Sequence, residues 1–250
     1  MRLGGFCVSV SLAAALLVSF VASGGAQAAE IANWDKSNRS WNNLHMTKVK
    51  LAMQNAGHRV IADSNITNAA LTRSSVYVIA EPTATPTVPE LNILRQFVTD
   101  GGMILVFGDT GIDLPTYNSL LASLGSSLAF TTTTIGTSSA LPVGQFTEFP
   151  WKISGSSLSV TSGNGTSGGT LIDNNYVRYE QIGTGFVVVF GDRIDHNDVI
   201  SDINARLLIN LVSVATAPAA QIPTFSLLGI VLASLLLAGL GVARLARRRR

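Results

Sequence analysis

Phe97-Val98-Thr99-Asp100-Gly101-Gly102-Met103-Ile104-Leu105-Val106-Phe107 is the stretch of this 250-residue chain that decides its fold. Upstream of it, Pro89 suits the first turn of a helix, and Leu91, Leu94, Phe97 and Val98 recur at helical spacing. Gly101-Gly102 stops that helix. Met103 to Phe107 then runs apolar without alternation. A strand with one wet face alternates apolar and polar residues, whereas a continuous apolar run suits a parallel strand covered on both faces.

The same rhythm extends outward in both directions. Ala29 to Trp34 is expected as a first strand, followed by the polar loop Asp35 to Asn43. Leu44 to Ala56 is expected as an amphipathic helix, with Leu44, Thr47, Val49, Leu51 and Met53 toward its apolar side and Gly57 ending it. His58 to Ala62 makes a short strand, 65–73 a helix, and Val76 to Ala80 a buried strand bounded by Glu81-Pro82. Beyond Phe107 come a helix over Thr116 to Leu124, ended by Gly125, and a final core strand over Gly185 to Phe190. The last helix is expected over Asp198 to Val214, with Ile203, Leu207, Leu208 and Leu211 on one face. Strands alternating with helices in this way predict an α/β domain over 29–215 with a doubly wound, mostly parallel sheet. Residues 126–184 break the rhythm. They are rich in Ser, Thr and Gly, with β-prone islands at Leu128 to Thr134 and Tyr176 to Gln181, and read as a β-rich insertion or edge hairpins.

Both ends have a different character. Residues 1–28 carry Arg2, an apolar run from Phe6 to Val21 and the small-x-small pattern Ala26-Gln27-Ala28, the three parts of a secretory signal peptide. The one cysteine, Cys7, lies inside that signal, so the mature chain would hold no disulfide, no cysteine-ligated metal and no cysteine nucleophile. At the other end, 216–221 is an Ala/Pro linker, and 225–243 is apolar or small except for Ser226 and Ser234. As a helix these nineteen residues would be about 28 Å long, enough to cross a bilayer's hydrocarbon core. Arg244, Arg247, Arg248, Arg249 and Arg250 form a basic stop expected on the cytoplasmic side. Without those five and Arg2, the formal charge of +2 becomes −4. No basic surface is left on the domain for nucleic acid.

Ile222-Pro223-Thr224-Phe225-Ser226, then Gly229, the apolar span and the arginines, resembles the IPTL-CTERM sorting signals of Gram-negative bacteria, relatives of PEP-CTERM tails. Their pattern reads roughly Ile-Pro-Thr-Leu-Ser-x-Trp-Gly. Here Phe225 stands for the Leu and Leu228 for the Trp. The resemblance covers 222–250 and implies membrane anchoring followed by processing through an exosortase-like protease. With the signal peptide it implies the secretion machinery as a partner. The location implied is the cell envelope: the inner membrane before processing, the outer surface or the exterior after it.

The 97–107 stretch, together with Gly183-Thr184-Gly185-Phe186-Val187-Val188-Val189-Phe190-Gly191-Asp192, is similar to the class I glutamine amidotransferase-like domains of the flavodoxin-like group. Catalytic members use a Cys on a strand-to-helix elbow with a later His and Glu. The mature chain lacks that Cys, and no Gly-x-Ser-x-Gly elbow replaces it. The comparable turn here is Gly108-Asp109-Thr110-Gly111, whose threonine has no evident base.

Val106-Phe107-Gly108-Asp109 recurs as Val189-Phe190-Gly191-Asp192, so each copy sets a carboxylate just beyond a strand. Asp35 and Glu81 stand at similar strand ends. Ligands of open α/β sheets bind outside the carboxyl ends of strands, which puts Asp109, Asp192, Asp195, His196 and Glu81 forward as lining one crevice. Their oxygens would suit Ca²⁺ or Mg²⁺. Against a metal stands the commoner role of such aspartates in turns and helix caps, with Asp195 or Asp198 placed to cap the last helix. His45 and His58 have no metal-ligand spacing. Trp34, Trp41, Trp151, Tyr176 and Tyr179 have faces suited to stacking on a sugar, and scattered aromatics more often fill a core. The expected function is non-catalytic binding of a ligand, glycan or protein partner at the envelope. The alternative is a divergent hydrolase acting on envelope polymers through the strand-end carboxylates.

Overall fold

The computed structural model describes residues 29–42, 46–136, 141–148, 150–153, 155, 157–159, 163–173, 175–196 and 199–216. The signal peptide, the sorting motif 222–229, the span 225–243 and the terminal arginines lie outside them. Among the described residues no helix is long and apolar enough to cross a membrane.

The chain is α/β. Strands β1 (Glu30–Asn33), β2 (Arg59–Val60), β3 (Val76–Ala80), β4 (Met103–Phe107) and β9 (Gly185–Phe190) lie parallel in the order β2-β1-β3-β4-β9, the strand order of flavodoxin-like folds. Two antiparallel strands, β8 (Val177–Ile182) and β7 (Thr170–Asp173), extend the sheet to seven. Part of the segment expected as a β-rich insertion or edge hairpins is thus an edge hairpin of the main sheet: β8 pairs with β9 from Val177↔Phe190 to Ile182↔Gly185 and with β7 on its other side. The rest includes β5 (Ala129–Ile135) and β6 (Gly163–Ser167), a separate two-stranded ribbon.

Because successive strand residues point to opposite faces, the sheet divides its apolar residues between two cores. Ile31, Val78, Leu105 and Val188 face α1 (Thr47–Asn55) and α5 (Asp202–Thr216). Tyr77, Ile79, Ile104, Val106 and Val189 face α2 (Asn68–Arg73), α3 (Val88–Thr99) and α4 (Leu114–Ser123). All five residues of β3 and of β4 are buried, as their unbroken apolar runs require.

Helix boundaries follow their caps. Thr87 and Glu90 form a capping box that starts α3 one residue before Pro89. The Ser201 hydroxyl accepts from the Asn204 N–H at 3.2 Å, so Ser201 caps α5 in the place expected of Asp195 or Asp198. Asp195 instead lies in β10 (Asp195–His196), paired with β11 (Val199–Ile200); Asp198 is outside the described residues. In α1 the buried residues are Val49 and Met53, four apart, and Leu51 is 41% exposed rather than on the apolar side. At 100° per residue Leu51 stands about 200° from Val49, away from that face.

The two glycine-rich stretches meet at the amino ends of β4 and β9. A Cβ on Gly102 would lie 2.4 Å from the Phe97 ring, and one on Gly185 would lie 2.2 Å from both the Gly102 and Val98 carbonyl oxygens. Thr184 N–H donates to Thr99 O at 3.1 Å and Phe186 N–H to Gly102 O at 3.2 Å, which locks the pair together.

Candidate functional site

The opposite ends of the strands carry the charge. Glu81 follows β3, Asp109 follows β4 and Arg193 follows β9, while Arg39 comes from the loop after β1. The Arg39 Nε donates to Glu81 Oε1 at 2.9 Å, and its terminal nitrogen lies 3.7 Å from Asp109 Oδ2. Arg193 Nε lies 3.8 Å from the same Asp109 oxygen. The result is an alternating row, Glu81–Arg39–Asp109–Arg193, whose side chains are between 11% and 18% exposed. Such shielding strengthens each attraction relative to a pair in open water.

Backbone pairing holds the row in place. Asn38 N–H donates to Glu81 O at 2.7 Å, Thr83 N–H donates to Lys36 O at 3.1 Å, and Ser37 pairs with Pro82 as an isolated bridge. The loops after β1 and β3, on either side of the point where strand order reverses, are thus zipped to each other. The Asn38 side-chain amide reaches the second Glu81 oxygen at 3.1 Å. Glu81 adopts a left-handed backbone, φ 45°, a conformation that a non-glycine residue holds only when its surroundings impose it. Asp109 Oδ1 accepts from Thr110 N–H at 2.6 Å and from the Thr110 hydroxyl at 3.2 Å, so this hydroxyl is spent on orienting the carboxylate.

Beside the row is a cleft of about 340 Å³ lined by Asn38, Glu81, Thr83, Thr110, Asp113 and Tyr117, among others. Burial pushes the Tyr117 phenol above its ordinary range, and the Glu81 and Asp109 carboxylates push it further. Its hydroxyl donates to Phe107 O at 3.4 Å.

Of the residues put forward from sequence, Glu81 and Asp109 come together through Arg39. Asp192, beside Arg193 in sequence, is 3% exposed, and Gly163 of β6 packs so close that a Cβ there would lie 2.6 Å from the Asp192 Cβ. Asp195 and His196 lie in the β10–β11 hairpin, and their side chains are outside those described. Asp35 is exposed. His58 is buried, with Nδ1 accepting from Ala29 N–H at 3.3 Å, and burial lowers its pKa; His45 lies outside the described residues. Trp34, Trp41 and Tyr176 are core residues, whereas Trp151 is 54% exposed.

A divalent cation does not fit the row. Glu81 and Asp109 already face guanidinium groups within 4 Å, whose charge opposes a second cation. Among the described residues no group of three or more His, Cys, Asp or Glu converges.

Sequence reasoning missed Arg39 and Arg193. Arg193 carried a signal in directly following the second Val-Phe-Gly-Asp; Arg39 carried only its place in the loop after the first strand.

No family model matches the chain, and no curated protein sequence matches it. Solved structures do share its fold. The "mmIFT52 N-terminal domain" superposes with a TM-score of 0.57 at 15% identity, over 75% of this chain and 98% of that one. The "Cytoplasmic Protein STM3548 from Salmonella typhimurium" superposes with a TM-score of 0.53 at 12% identity, over 74% of this chain and 97% of that one. At such identities the likeness is one of fold alone: this chain is similar to both in its α/β sheet architecture.

Proposed function

We propose that the chain is an exported envelope protein, anchored or sorted through its IPTL-CTERM-like tail, whose amidotransferase-like α/β domain binds a ligand at the carboxyl ends of its parallel strands without catalysis. The observation that carries the binding reading is the Glu81–Arg39–Asp109–Arg193 row beside an open cleft. Four segments far apart in sequence supply one ordered set of donors and acceptors, where ligands of this fold class bind. Both carboxylates face arginines, which suits holding and orienting a polar ligand better than transferring protons. The tripartite ends of the sequence support export, secretion and processing by an exosortase-like membrane protease.

A hydrolase acting on envelope polymers draws on one observation, the left-handed backbone of Glu81 at a strand end. Incubating the purified full chain with isolated cell-envelope polymers separates the two readings. The binding reading expects no released fragments from wild type. Turnover that Glu81→Gln or Asp109→Asn abolishes while the fold survives would establish the hydrolase instead. For the tail, fusing 222–250 to an exported reporter should send it to the membrane fraction, and a shortened product should form only alongside a processing protease. A full-length, soluble reporter in both hosts would defeat the sorting reading.

A further inference from the structure

A second surface, remote in sequence from the strand-end row, has the makings of a ligand site of its own. Of the chain's three tryptophans, Trp34 and Trp41 are 0% and 2% exposed, while Trp151 is 54% exposed. Its backbone is nevertheless held rigidly. Asn210 of α5, itself 0% exposed, accepts from Trp151 N–H at 3.0 Å and donates to Trp151 O at 2.8 Å. The same amide donates its other hydrogen to Phe146 O at 2.8 Å. One turn and a half earlier on α5, Asn204 repeats the device, accepting from Ser159 N–H at 3.0 Å and donating to Ser159 O at 2.8 Å. Two buried amides thus fix the segment that presents the bare indole between the core residues Phe146, Ile153 and Leu158. A large apolar side chain held in water forgoes the stabilisation that burial supplies.

Trp151 borders a groove of about 610 Å³ between α1 and α5. Leu51, the exposed leucine of α1, shares its apolar wall. Lys48, Asn55, Asp202 and Arg206 supply polar groups, Arg206 and Asp202 being paired at 2.9 Å. The volume is that of small-molecule sites.

The geometry points to a carbohydrate site here, in which the apolar C–H face of a pyranose ring stacks on Trp151 while its hydroxyls exchange hydrogen bonds with Asn55, Asp202, Lys48 and Arg206. A sugar is the occupant that this mixture fits. It has one apolar face for the indole and a rim of hydroxyls that both donate and accept. An apolar helix would leave four polar side chains facing it without water, at a desolvation penalty for each. The inference rests on the reading of the domain as a binding module, and it names a ligand class for a surface separate from the strand ends.

The test uses the full-length chain in lipid nanodiscs, titrated with cellohexaose and with chitohexaose. Binding is followed by calorimetry and tryptophan emission. The expected result is saturable binding of at least one oligosaccharide with a blue shift of the exposed-indole emission. Trp151→Ala should weaken that binding about tenfold or more and remove the shift, and Trp151→Tyr should retain most of the affinity. Trp151 is exposed, so unchanged circular dichroism is expected for both variants. No saturable binding to either sugar at millimolar concentration overturns the inference. So does equal binding by Trp151→Ala, which would leave the binding-module reading standing with its site elsewhere. So does a wild-type dimer that Trp151→Ala dissociates, since the groove would then seat a second copy. Release of new reducing ends, lost in Trp151→Ala, would keep this site and defeat the non-catalytic reading.

Discussion

Val106-Phe107-Gly108-Asp109 and Val189-Phe190-Gly191-Asp192 end two adjacent parallel strands, and their aspartates meet different surroundings. Up to the phenylalanines the copies are equivalent. Phe107 and Phe190 pair in register, and their rings stack with centroids 4.5 Å apart. Past the glycines they part. The chain after Asp109 turns into the open cleft, and its carboxylate is shared between two arginines. At the second copy the β5–β6 ribbon lies against the strand end: Asn164 N–H donates to Gly191 O at 2.8 Å, and Asp192 is buried. Identical tetrapeptides on neighbouring strands can therefore differ in burial, because what covers a strand end is set by chain far from it in sequence.

Substitution of the two glycines should break the comparison most sharply. A Cβ at residue 191 would lie 2.0 Å from the Asn164 carbonyl oxygen, a backbone atom that can yield only if the ribbon moves. A Cβ at residue 108 would meet the edge of the Phe130 ring at 2.7 Å, which a side-chain shift relieves in part. Gly191→Ala is expected to cost about 3 kcal/mol or more and Gly108→Ala about 1–2 kcal/mol, read from urea midpoints. Next come the aspartates. Asp192→Ala removes a buried polar side chain and should cost about 2 kcal/mol. Asp109→Ala should cost about 1 kcal/mol, because Arg39 keeps Glu81 as a partner, yet this variant is the one expected to impair ligand binding at the cleft. Calorimetric melts of both variants would show whether that order holds.

The smallest effect is one of pH. Glu180 of β8 anchors the turn leading into β5, accepting from Ser126 Oγ at 2.7 Å and Ser127 N–H at 2.6 Å. Desolvation raises its pKa, but the hydrogen bonds from Ser126, Ser127 and Leu128 together outweigh it, so the net position is below the ordinary 4.5. A depressed carboxylate contributes stability that is present above the unfolded value and lost as pH falls through the folded one. Wild type should therefore lose stability below about pH 4.5, and Glu180→Gln should flatten that part of the profile by under about 1 kcal/mol.

The core strands were legible because burial on both faces leaves one signature, an unbroken apolar run; Val76–Ala80, Met103–Phe107 and Gly185–Phe190 are all met as expected. Strand β2 shrank to Arg59–Val60, since a two-residue edge needs little pattern. Strand β8 falls on the β-prone island Tyr176 to Gln181, but its place in the main sheet was not legible: Arg178, Glu180 and Gln181 give it a polar look, and its position is fixed by β9. At the site, Asp109 and Glu81 were legible from their positions after strands. Their arginine partners were not, because a loop arginine does not announce which carboxylate the fold will set before it. The burial of Asp192 was not legible for a related reason: the ribbon strand β6 that packs on Gly191 is a long-range feature.

The pairing of β4 with β9 also dictates a timetable. Met103 pairs with Phe186 and Phe107 with Phe190, so a chain emerging from its amino end makes β4 long before the strand that must lie beside it. Until then five consecutive apolar residues present an unpaired margin, open to foreign strands or to a holding chaperone. Such distant pairing slows assembly, because the loop must close before its contacts stabilise anything. Pulse-labelled hydrogen exchange should accordingly find the β4 amides that face β9 protected only once residues 185–190 have been made, whereas Met103 N–H, which donates to Ser75 O, is protected with β3.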